Sequence, residues 1–240
     1  MSGRAHLAVK VASEVSPLLP DDGNEPRLMI ANPLQARAEA LADKLRTAYK
    51  DAKGKGRQVH VPWRQETAVI DVYRNAQLSE EEREGIWTLF ETNMRYERST
   101  EGYDPEEKRA ELFHPEARFL LLRRAGDQTT EPPLGYCIFR FDTEETEADE
   151  GEDDLCDVAY CYELQIESSH QKQGVGRVLM DALERLARAY KMDKTMLTAF
   201  KNNTDAIAFY RRIGFATDDV DPSEYGIDDV DYIILSKLCN

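Results

Sequence analysis

Two glycines at the start of an amphipathic helix are the part of this sequence best suited to binding a ligand. The segment Gln171-Lys-Gln-Gly-Val-Gly176 follows a strand-like run, Tyr160-Cys-Tyr-Glu-Leu-Gln-Ile-Glu167, and precedes a helical pattern that extends to Tyr190. A helix N-terminus leaves several backbone N–H groups unpaired and carries the positive end of the peptide dipole. Glycine allows an anion to approach those donors closely. The segment therefore predicts a phosphate-binding turn.

The spacing of this turn distinguishes between kinds of phosphate ligand. A dinucleotide-binding turn has the pattern Gly-x-Gly-x-x-Gly and an acidic residue after the next strand. Here Leu179 occupies the third glycine position, and Asp193 precedes the next apolar run, residues 195–200, instead of following it. The dinucleotide pattern fails on both counts, so another phosphate ligand is expected.

Glu163, on the strand before the turn, is the first candidate for a general base. A carboxylate beside a bound cofactor can be desolvated, which raises its pKa. However, Glu163, Gln165 and Glu167 alternate with Leu164 and Ile166. This alternation is also typical of the solvent-facing side of a half-buried strand. The residues alone leave both interpretations open.

Periodicity and turn signals predict alternating strands and helices around the turn. Strands are expected at residues 67–73, 119–122, 134–141, 160–167, 195–200 and 231–236. Helices are expected at residues 36–52, 79–94, 174–190 and 204–212, the second opening at the capping box Ser79-Glu-Glu-Glu82. The expected fold class is α+β, a central mixed sheet flanked by helices. Residues 1–60 are interpreted as an irregular and helical N-terminal extension, and residues 61–240 as one domain.

The chain is strongly acidic, with a formal net charge of −15. A protein that binds nucleic acid directly needs a basic face, so this charge argues against such a partner. The charge favours either a cationic partner or no partner that is selected by its charge. The densest acidic run, residues 144–154, lies between two predicted strands. It is expected to be a solvated loop or a surface that attracts a basic peptide.

The patterns of cysteine, histidine and apolar residues argue against a metal-binding protein and a membrane protein. The four cysteines have no metal-ligand spacing and the four histidines are scattered, so no metal site is expected. Cys137 and Cys161 lie in apolar runs and are interpreted as reduced core residues. The sequence contains no apolar run long enough to span a bilayer, so we expect a soluble, intracellular protein without a membrane partner.

A second motif lies downstream of the turn, in Asn202-Asn203 and Ala206-Ile-Ala-Phe-Tyr-Arg-Arg-Ile-Gly-Phe215. Considered alone, Phe209 and Phe215 are core aromatics and Gly214 ends a helix in the left-handed conformation. In order and spacing, however, this segment and the Gln-x-x-Gly-x-Gly turn together resemble the GNAT superfamily of N-acetyltransferases. The resemblance implies a GNAT-type fold, with acetyl-coenzyme A as co-substrate and its pyrophosphate bound at the turn.

The same resemblance assigns the cofactor-binding residues. They are Leu164, Gln165, Ile166, Gln171, Lys172, Gln173, Gly174, Val175, Gly176, Asn203, Phe209 and Tyr210. Tyr210 is expected either to protonate the leaving thiolate or to pack against the cofactor. No metal is implied.

Further segments narrow the resemblance over residues 60–237. They are Asn93-Met-Arg-Tyr-Glu-Arg-Ser99, Phe139-Arg-Phe-Asp142, Tyr160-Cys-Tyr-Glu-Leu-Gln-Ile-Glu167, Leu197-Thr-Ala-Phe-Lys201 and Tyr232-Ile-Ile-Leu-Ser236. They resemble the histone N-terminal α-acetyltransferase family, NatD. The resemblance implies acetylation of the α-amine of histones four and two A, whose tails begin Ser-Gly-Arg-Gly. We also expect a monomeric protein of the cytoplasm and nucleus.

The NatD resemblance implies catalytic roles for Glu163, Tyr162 and Asp142. It implies that the peptide is bound by Tyr96, Asp142, Tyr162 and Tyr232. Without it, Asp142 would be interpreted as an ordinary strand-end residue and the tyrosines as core or rim aromatics. The general base stays open between Glu163, Asp142 acting through water, and a chain of solvent molecules.

One departure from the NatD pattern and two alternative functions accompany this interpretation. The family continues Trp-Gly-Trp after the segment that ends at Ser99, whereas this chain has Glu101-Gly102-Tyr103. The difference affects the expected wall of the peptide pocket.

The first alternative function is a GNAT that acetylates a small amine such as a polyamine. The second is a non-catalytic module that binds acyl-coenzyme A or a histone tail.

Overall fold

A computed structural model describes residues 57–64, 66–94, 103–127, 131–145 and 155–239. The predicted helix at residues 36–52, the candidate substrate residue Tyr96, Glu101 and residues 146–154 of the acidic run lie outside the described residues. The first strand begins at Arg57, within the segment interpreted as the extension.

Eight strands and four α-helices occur in the described part of the chain. The strands are β1 (Arg57–Trp63), β2 (Glu66–Arg74), β3 (Arg118–Arg124), β4 (Gly135–Glu145), β5 (Leu155–Ile166), β6 (Lys194–Phe200), β7 (Ala216–Thr217) and β8 (Tyr232–Leu238). The helices are α1 (Glu80–Asn93), α2 (Pro105–Leu112), α3 (Val175–Ala189) and α4 (Thr204–Arg212). Every predicted strand, and every predicted helix within the described ranges, is confirmed. Strands β1 and β7 and helix α2 were not predicted from the sequence.

The strands form one sheet in the order β1-β2-β3-β4-β5-β6-β8-β7. Neighbouring strands are antiparallel, except for β5 and β6, which run parallel. A parallel pair requires a crossover connection, and α3 provides it. The predicted mixed sheet flanked by helices is therefore confirmed.

A β-bulge interrupts the pairing of β4 with β5. Cys161 pairs with Phe139 and Glu163 pairs with Ile138, so Tyr162 has no partner on β4. An inserted residue reverses the alternation of side chains between the two faces of a sheet. Tyr162 and Glu163 consequently project from the same face, although they are consecutive in the sequence.

The bulge coincides with the separation of β5 from β6. Their parallel pairing ends at Cys161 and Leu197, while β5 continues beside β4 to Ile166 and β6 continues beside β8 to Phe200. In the described ladder, residues 162–166 of β5 have no partner on the β6 side. This stretch of β5 therefore presents backbone groups to the gap between the diverging strands.

The two faces of the sheet have different coverings. Helix α3 packs its apolar stripe, which includes Leu179, Met180 and Leu183, onto the face that carries Cys161 and Leu164. The opposite face is covered by α1 and α2 over β3 and β4. On that second face, an aromatic cluster including Tyr160 and Tyr232 lies over β5, β6 and β8.

Helices α1 and α2 begin at well-defined caps. Ser79 and Glu82 form the predicted capping box at α1. Asp104 accepts hydrogen bonds from the backbone N–H groups of Glu106 and Glu107 at α2, with Pro105 as the first helical residue. None of the helices in the described ranges is long and apolar enough to cross a membrane.

Gly135 is required where β4, β5 and the start of α3 meet. A Cβ there would lie 2.7 Å from the Gln165 carbonyl oxygen and 3.0 Å from Val175 Cγ1. We expect Gly135→Ala to lower the free energy of unfolding by about 1–3 kcal/mol because packed backbone must move. Urea unfolding followed by circular dichroism measures this change.

Gly85 in α1 provides the matched control. A Cβ at Gly85 would meet Pro133 Cδ at 3.7 Å, an ordinary contact. Because alanine is the better residue in a helix interior, Gly85→Ala is expected to raise the free energy of unfolding by about 0.5–1 kcal/mol. Equal effects of the two substitutions would contradict the argument from close approach.

Candidate active site

The glycine turn between β5 and α3 is held in place by β1. Gly174 is the N-cap of α3, has a φ of 93°, and has no side chain with which to cap the helix. The Trp63 indole N–H donates to the Gln173 carbonyl at 3.0 Å, and Arg64 donates to the Gln173 side-chain oxygen at 2.9 Å. The first N–H groups of α3 therefore stand at a fixed turn, where an anion can accept hydrogen bonds from them.

A hydrogen-bonded segment between β5 and the turn strengthens this arrangement. Glu167 accepts a hydrogen bond from the backbone N–H of Ser169 at 3.1 Å and contacts His170 at 2.5 Å. The Ser169 hydrogen bonds lower the pKa of Glu167 to about 2. Glu167 is therefore ionised and orders the turn.

Helix α4 lies against the start of α3. A Cβ added at Gly176 would lie 3.3 Å from Phe209 Cζ, so glycine allows this close approach. Asn203 accepts a hydrogen bond from the Ala206 N–H at 3.3 Å and caps α4. Lys172 pairs with Asp205 at 3.1 Å, and both side chains are exposed. The turn residues and the downstream motif are thus brought together, as the cofactor prediction requires.

Tyr210 extends from α4 into the core beside β4 and β5. Its ring packs between those of Phe209 and Phe215, with centroid separations of 5.1 and 5.9 Å. Burial, followed by the electrostatic effects of Cys161, Cys137 and Glu163, raises the pKa of the Tyr210 phenol well above its usual value. The phenol therefore keeps its proton at neutral pH. Gly214 follows α4 with a φ of 98°, which confirms the predicted left-handed helix end.

Glu163 is nearly buried, because α2 and α1 cover the face from which it projects. Its side chain is 13% exposed, and its Oε1 accepts a hydrogen bond from the Gln165 amide at 2.8 Å. Burial raises the pKa of Glu163, while nearby Lys108 lowers it. The surface-facing interpretation of Glu163 is wrong, because the bulge turns this residue towards the helices. Its environment is the one expected for a general base.

Gln165 has a structural role on the same face. Its side-chain oxygen accepts a hydrogen bond from Asn93 at 2.7 Å, and Asn93 also donates to the Ile166 carbonyl at 2.9 Å. These bonds join the end of α1 to the end of β5. The Gln165 side chain is thus turned away from α3, while Leu164 and Ile166 pack on the α3 side. The cofactor contact predicted at Gln165 would therefore have to be made by its backbone groups.

The remaining candidate substrate residues lie further along the same face. The Tyr162 hydroxyl approaches Asp142 Oδ2 at 3.5 Å, and the Arg140 guanidinium lies 4.2 Å from the centroid of the Tyr162 ring. Burial raises the pKa of Tyr162 to about 12, against the lowering effect of Arg140. Tyr160 packs against Tyr162 with ring centroids 4.9 Å apart. Tyr232 belongs to the same aromatic cluster.

The structure separates the two candidate carboxylates. Glu163 pairs with Ile138 and Asp142 pairs with Val158, so they are four β4 positions apart, about 13 Å along the strand. Asp142 is exposed, whereas Glu163 is nearly buried. This separation suits a base at Glu163 and a substrate contact at Asp142.

Three charged residues around the site were not predicted from the sequence. Lys108 and Glu111, both on α2, approach Glu163, and Arg140 donates to the Glu111 carbonyl at 3.2 Å. The pattern Asp104-Pro105-Glu-Glu is a helix N-terminal signal and could have indicated α2. No pattern in the sequence indicated that the α2 side chains of Lys108 and Glu111 would lie near Glu163.

The described residues contain no group of three or more side chains suited to a metal ion. The cysteines in this part of the chain are all free thiols. Cys137 and Cys161 are buried, as expected, with their sulfur atoms 3.6 Å apart.

Solved structures with a related fold include several acetyltransferases. An acetyltransferase from Streptococcus agalactiae 2603 is 14% identical, with a TM-score of 0.50 over 70% of this chain and 98% of that chain. A GNAT-family acetyltransferase from Staphylococcus aureus Mu50 is 10% identical, with a TM-score of 0.50 over 71% and 99%. A NatC complex bound to Gag peptide and CoA is 17% identical, with a TM-score of 0.49 over 71% and 98%.

A family comparison adds the assignment that fold alone does not make. The model described as the acetyltransferase (GNAT) family matches residues 83–215, more than half of the chain. The matched range contains most of α1 and all of α2, the bulged strand β5, the glycine turn and α4. The chain belongs to the acetyltransferase (GNAT) family and is therefore an acyltransferase that uses acetyl-coenzyme A.

Proposed function

We propose that this protein transfers acetyl from acetyl-coenzyme A to the N-terminal α-amine of histones four and two A. The observation on which the proposal rests is the nearly buried Glu163 beside Tyr162, at the point where β5 separates from β6. Tyr210 lies near enough to respond to the charge of Glu163, and Tyr162 packs against the aromatic cluster on the other face. The substrate implies a location in the cytoplasm and nucleus, and we propose that the protein acts as a monomer.

Glu163 would act as the general base. A peptide α-amine has a pKa of about 7.7–8.0, so a large fraction is protonated at neutral pH. Ionised Glu163, directly or through one water, takes this proton, and the free amine attacks the thioester carbonyl. A new C–N bond forms, and the C–S bond of the tetrahedral intermediate breaks while the nitrogen loses its second proton to solvent. Backbone N–H groups at the bulge would stabilise the oxyanion, and Tyr210 would give a proton to the leaving thiolate and regain one from solvent.

Asp142 would select the arginine of a Ser-Gly-Arg-Gly tail. Asp142 is exposed, and its position on β4 lies about 13 Å along the sheet from the position opposite Glu163, a span of a few extended residues. Arginine can bind a carboxylate with two parallel hydrogen bonds, which lysine does not reproduce. Tyr162 and Tyr232 would flank the first residues of the peptide, and the charge of −15 would favour a basic tail.

The same charge also favours a small polycation, so a polyamine acetyltransferase is the alternative function. Incubating the protein and acetyl-coenzyme A with a Ser-Gly-Arg-Gly peptide, an internal-lysine peptide or spermidine separates the two. Acetylation of the peptide α-amine supports the proposal. Turnover of spermidine without the peptide would favour the alternative. Cofactor binding without turnover of any substrate would indicate a non-catalytic module.

Replacing Glu163 by glutamine tests the base. We expect Glu163→Gln to lower kcat on the Ser-Gly-Arg-Gly peptide by at least about tenfold at pH 7. The loss should shrink above about pH 9, where the amine is neutral without a base. Rates measured between pH 6 and pH 10 test this dependence. Exposed Glu116→Gln is the matched control, and full activity of Glu163→Gln at every pH would exclude the base role.

Replacing Asp142 by asparagine tests the arginine contact. We expect Asp142→Asn to raise KM for a Ser-Gly-Arg-Gly peptide about fivefold or more, because a charge-assisted pair is lost. KM for a Ser-Gly-Ala-Gly peptide should not change, since it lacks the guanidinium. An equal effect on both peptides would mean that Asp142 shapes the site without binding arginine.

A further inference from the structure

Helix α2 brings a cation to the candidate base. Lys108 Nζ lies 3.8 Å from Glu163 Oε2, and each of the two side chains is only 13% exposed. The same ammonium lies 2.7 Å from Glu111 Oε1, one helical turn further along α2. The ring of Phe90 on α1 lies 5.4 Å from Lys108 Nζ and covers it from the side. Lys108 is therefore placed between two carboxylates in a poorly solvated site.

The positions of these charges give opposite effects on Glu163. A cation within about 4–6 Å favours the ionised form of a carboxylate, and a second carboxylate disfavours it. Lys108 accordingly lowers the pKa of Glu163, while Glu111 raises it. Lys108 lies closer to Glu111 than to Glu163, so it lowers the pKa of Glu163 by less than it would in a tight ion pair. Moving or removing either side chain should change the proton affinity of Glu163.

We propose that Lys108 is a positioning residue that, shared between Glu111 and Glu163, sets the pH at which Glu163 becomes ionised. The inference deepens the proposed function, because it rests on Glu163 being the base that accepts the amine proton. Lys108 does not itself receive the acetyl group. The closer Glu111 keeps it from forming a tight pair with Glu163, which would leave that carboxylate a weak base.

The other titratable groups that face Glu163 are neutral at physiological pH. Tyr136 and Cys137 on β4 and Tyr210 on α4 respond to its charge, and burial raises the pKa of the Tyr136 and Tyr210 phenols. The pKa of Cys137 is raised first by its hydrogen bond with Cys161 and then by burial. On β5 itself, the neutral Gln165 donates to Glu163. Lys108 and Glu111 are thus the charged groups that act on Glu163 among the described residues.

The direct experiment is a titration of Glu163 by NMR. Protein labelled with ¹³C at the glutamate carboxyl carbons is titrated, and Glu163→Gln identifies the resonance. Lys108→Met should shift the midpoint of Glu163 to higher pH. Glu111→Gln should shift the midpoint of Glu163 to lower pH. The substitution removes a nearby negative charge and leaves Lys108 without its closer carboxylate partner. Lys108→Arg should retain the wild-type midpoint, and exposed Lys191→Met is the control for loss of a distant positive charge.

Rates with saturating peptide give a second readout. Glu163 accepts a proton only when ionised, so a higher midpoint removes activity as pH falls. The ratio of kcat at pH 6 to kcat at pH 8 should be at least about threefold lower in Lys108→Met than in wild type. In Glu111→Gln the ratio should rise. A merely structural role would lower kcat equally at both pH values.

The outcomes separate this inference from the proposed function. If Glu163 titrates at the wild-type pH in folded Lys108→Met and Glu111→Gln, the inference is overturned, even if the peptide is acetylated. If the two midpoints move in opposite directions but the peptide is not acetylated, the inference is supported and the proposed substrate is wrong. Should Lys108→Met fail to fold, Lys108→Gln removes the same positive charge with a polar side chain, and its upward shift or unchanged midpoint decides the question.

Discussion

The bulge in β5 inserts Tyr162 opposite no residue of β4, so Tyr162 and Glu163 project from one face of the sheet. In a regular strand only one of these neighbours could face α2. The same position ends the pairing of β5 with β6, which opens the backbone of residues 162–166. A carboxylate, an aromatic wall and a stretch of β5 backbone without a partner strand on the β6 side therefore meet at one place. The other parts of the site are arranged around this irregularity.

Two opposing effects then decide the state of Glu163. Covering it with α1 and α2 removes water and raises its pKa, which makes it a stronger base. Burial alone would also favour the protonated form, which cannot accept a proton. A cation 3.8 Å away offsets part of this effect, and Glu111 limits the offset. The site thus retains a carboxylate that is both desolvated and ionisable, a balance that neither burial nor charge pairing provides alone.

Most of the fold could be predicted from the sequence because its signals are local. The capping box at Ser79, the apolar stripe of α3 and the glycines at the turn each specify structure within a few residues. From the residues alone, Glu163 could be either a general base or a solvent-facing residue, because an alternating pattern assumes a regular strand. The bulge that decides its orientation depends on pairing with β4. Likewise Lys108 could not be placed, since its proximity to Glu163 arises from packing between segments far apart in the chain.

The charges around the site differ from the acidic composition of the chain as a whole. The chain has a net charge of −15, yet Lys108 and Arg140 lie close to Glu163 and Tyr162. For the proposed substrate, the electrostatic field near the α-amine would thus be mixed, because a positively charged amine would meet cations as well as a carboxylate. Attraction of a basic tail would therefore act at the rim, where Asp142 is exposed. Under the proposed function, the later residues of a basic chain would draw it towards the site, while the cations near Glu163 would favour the neutral form of the terminal amine, which is the form that reacts.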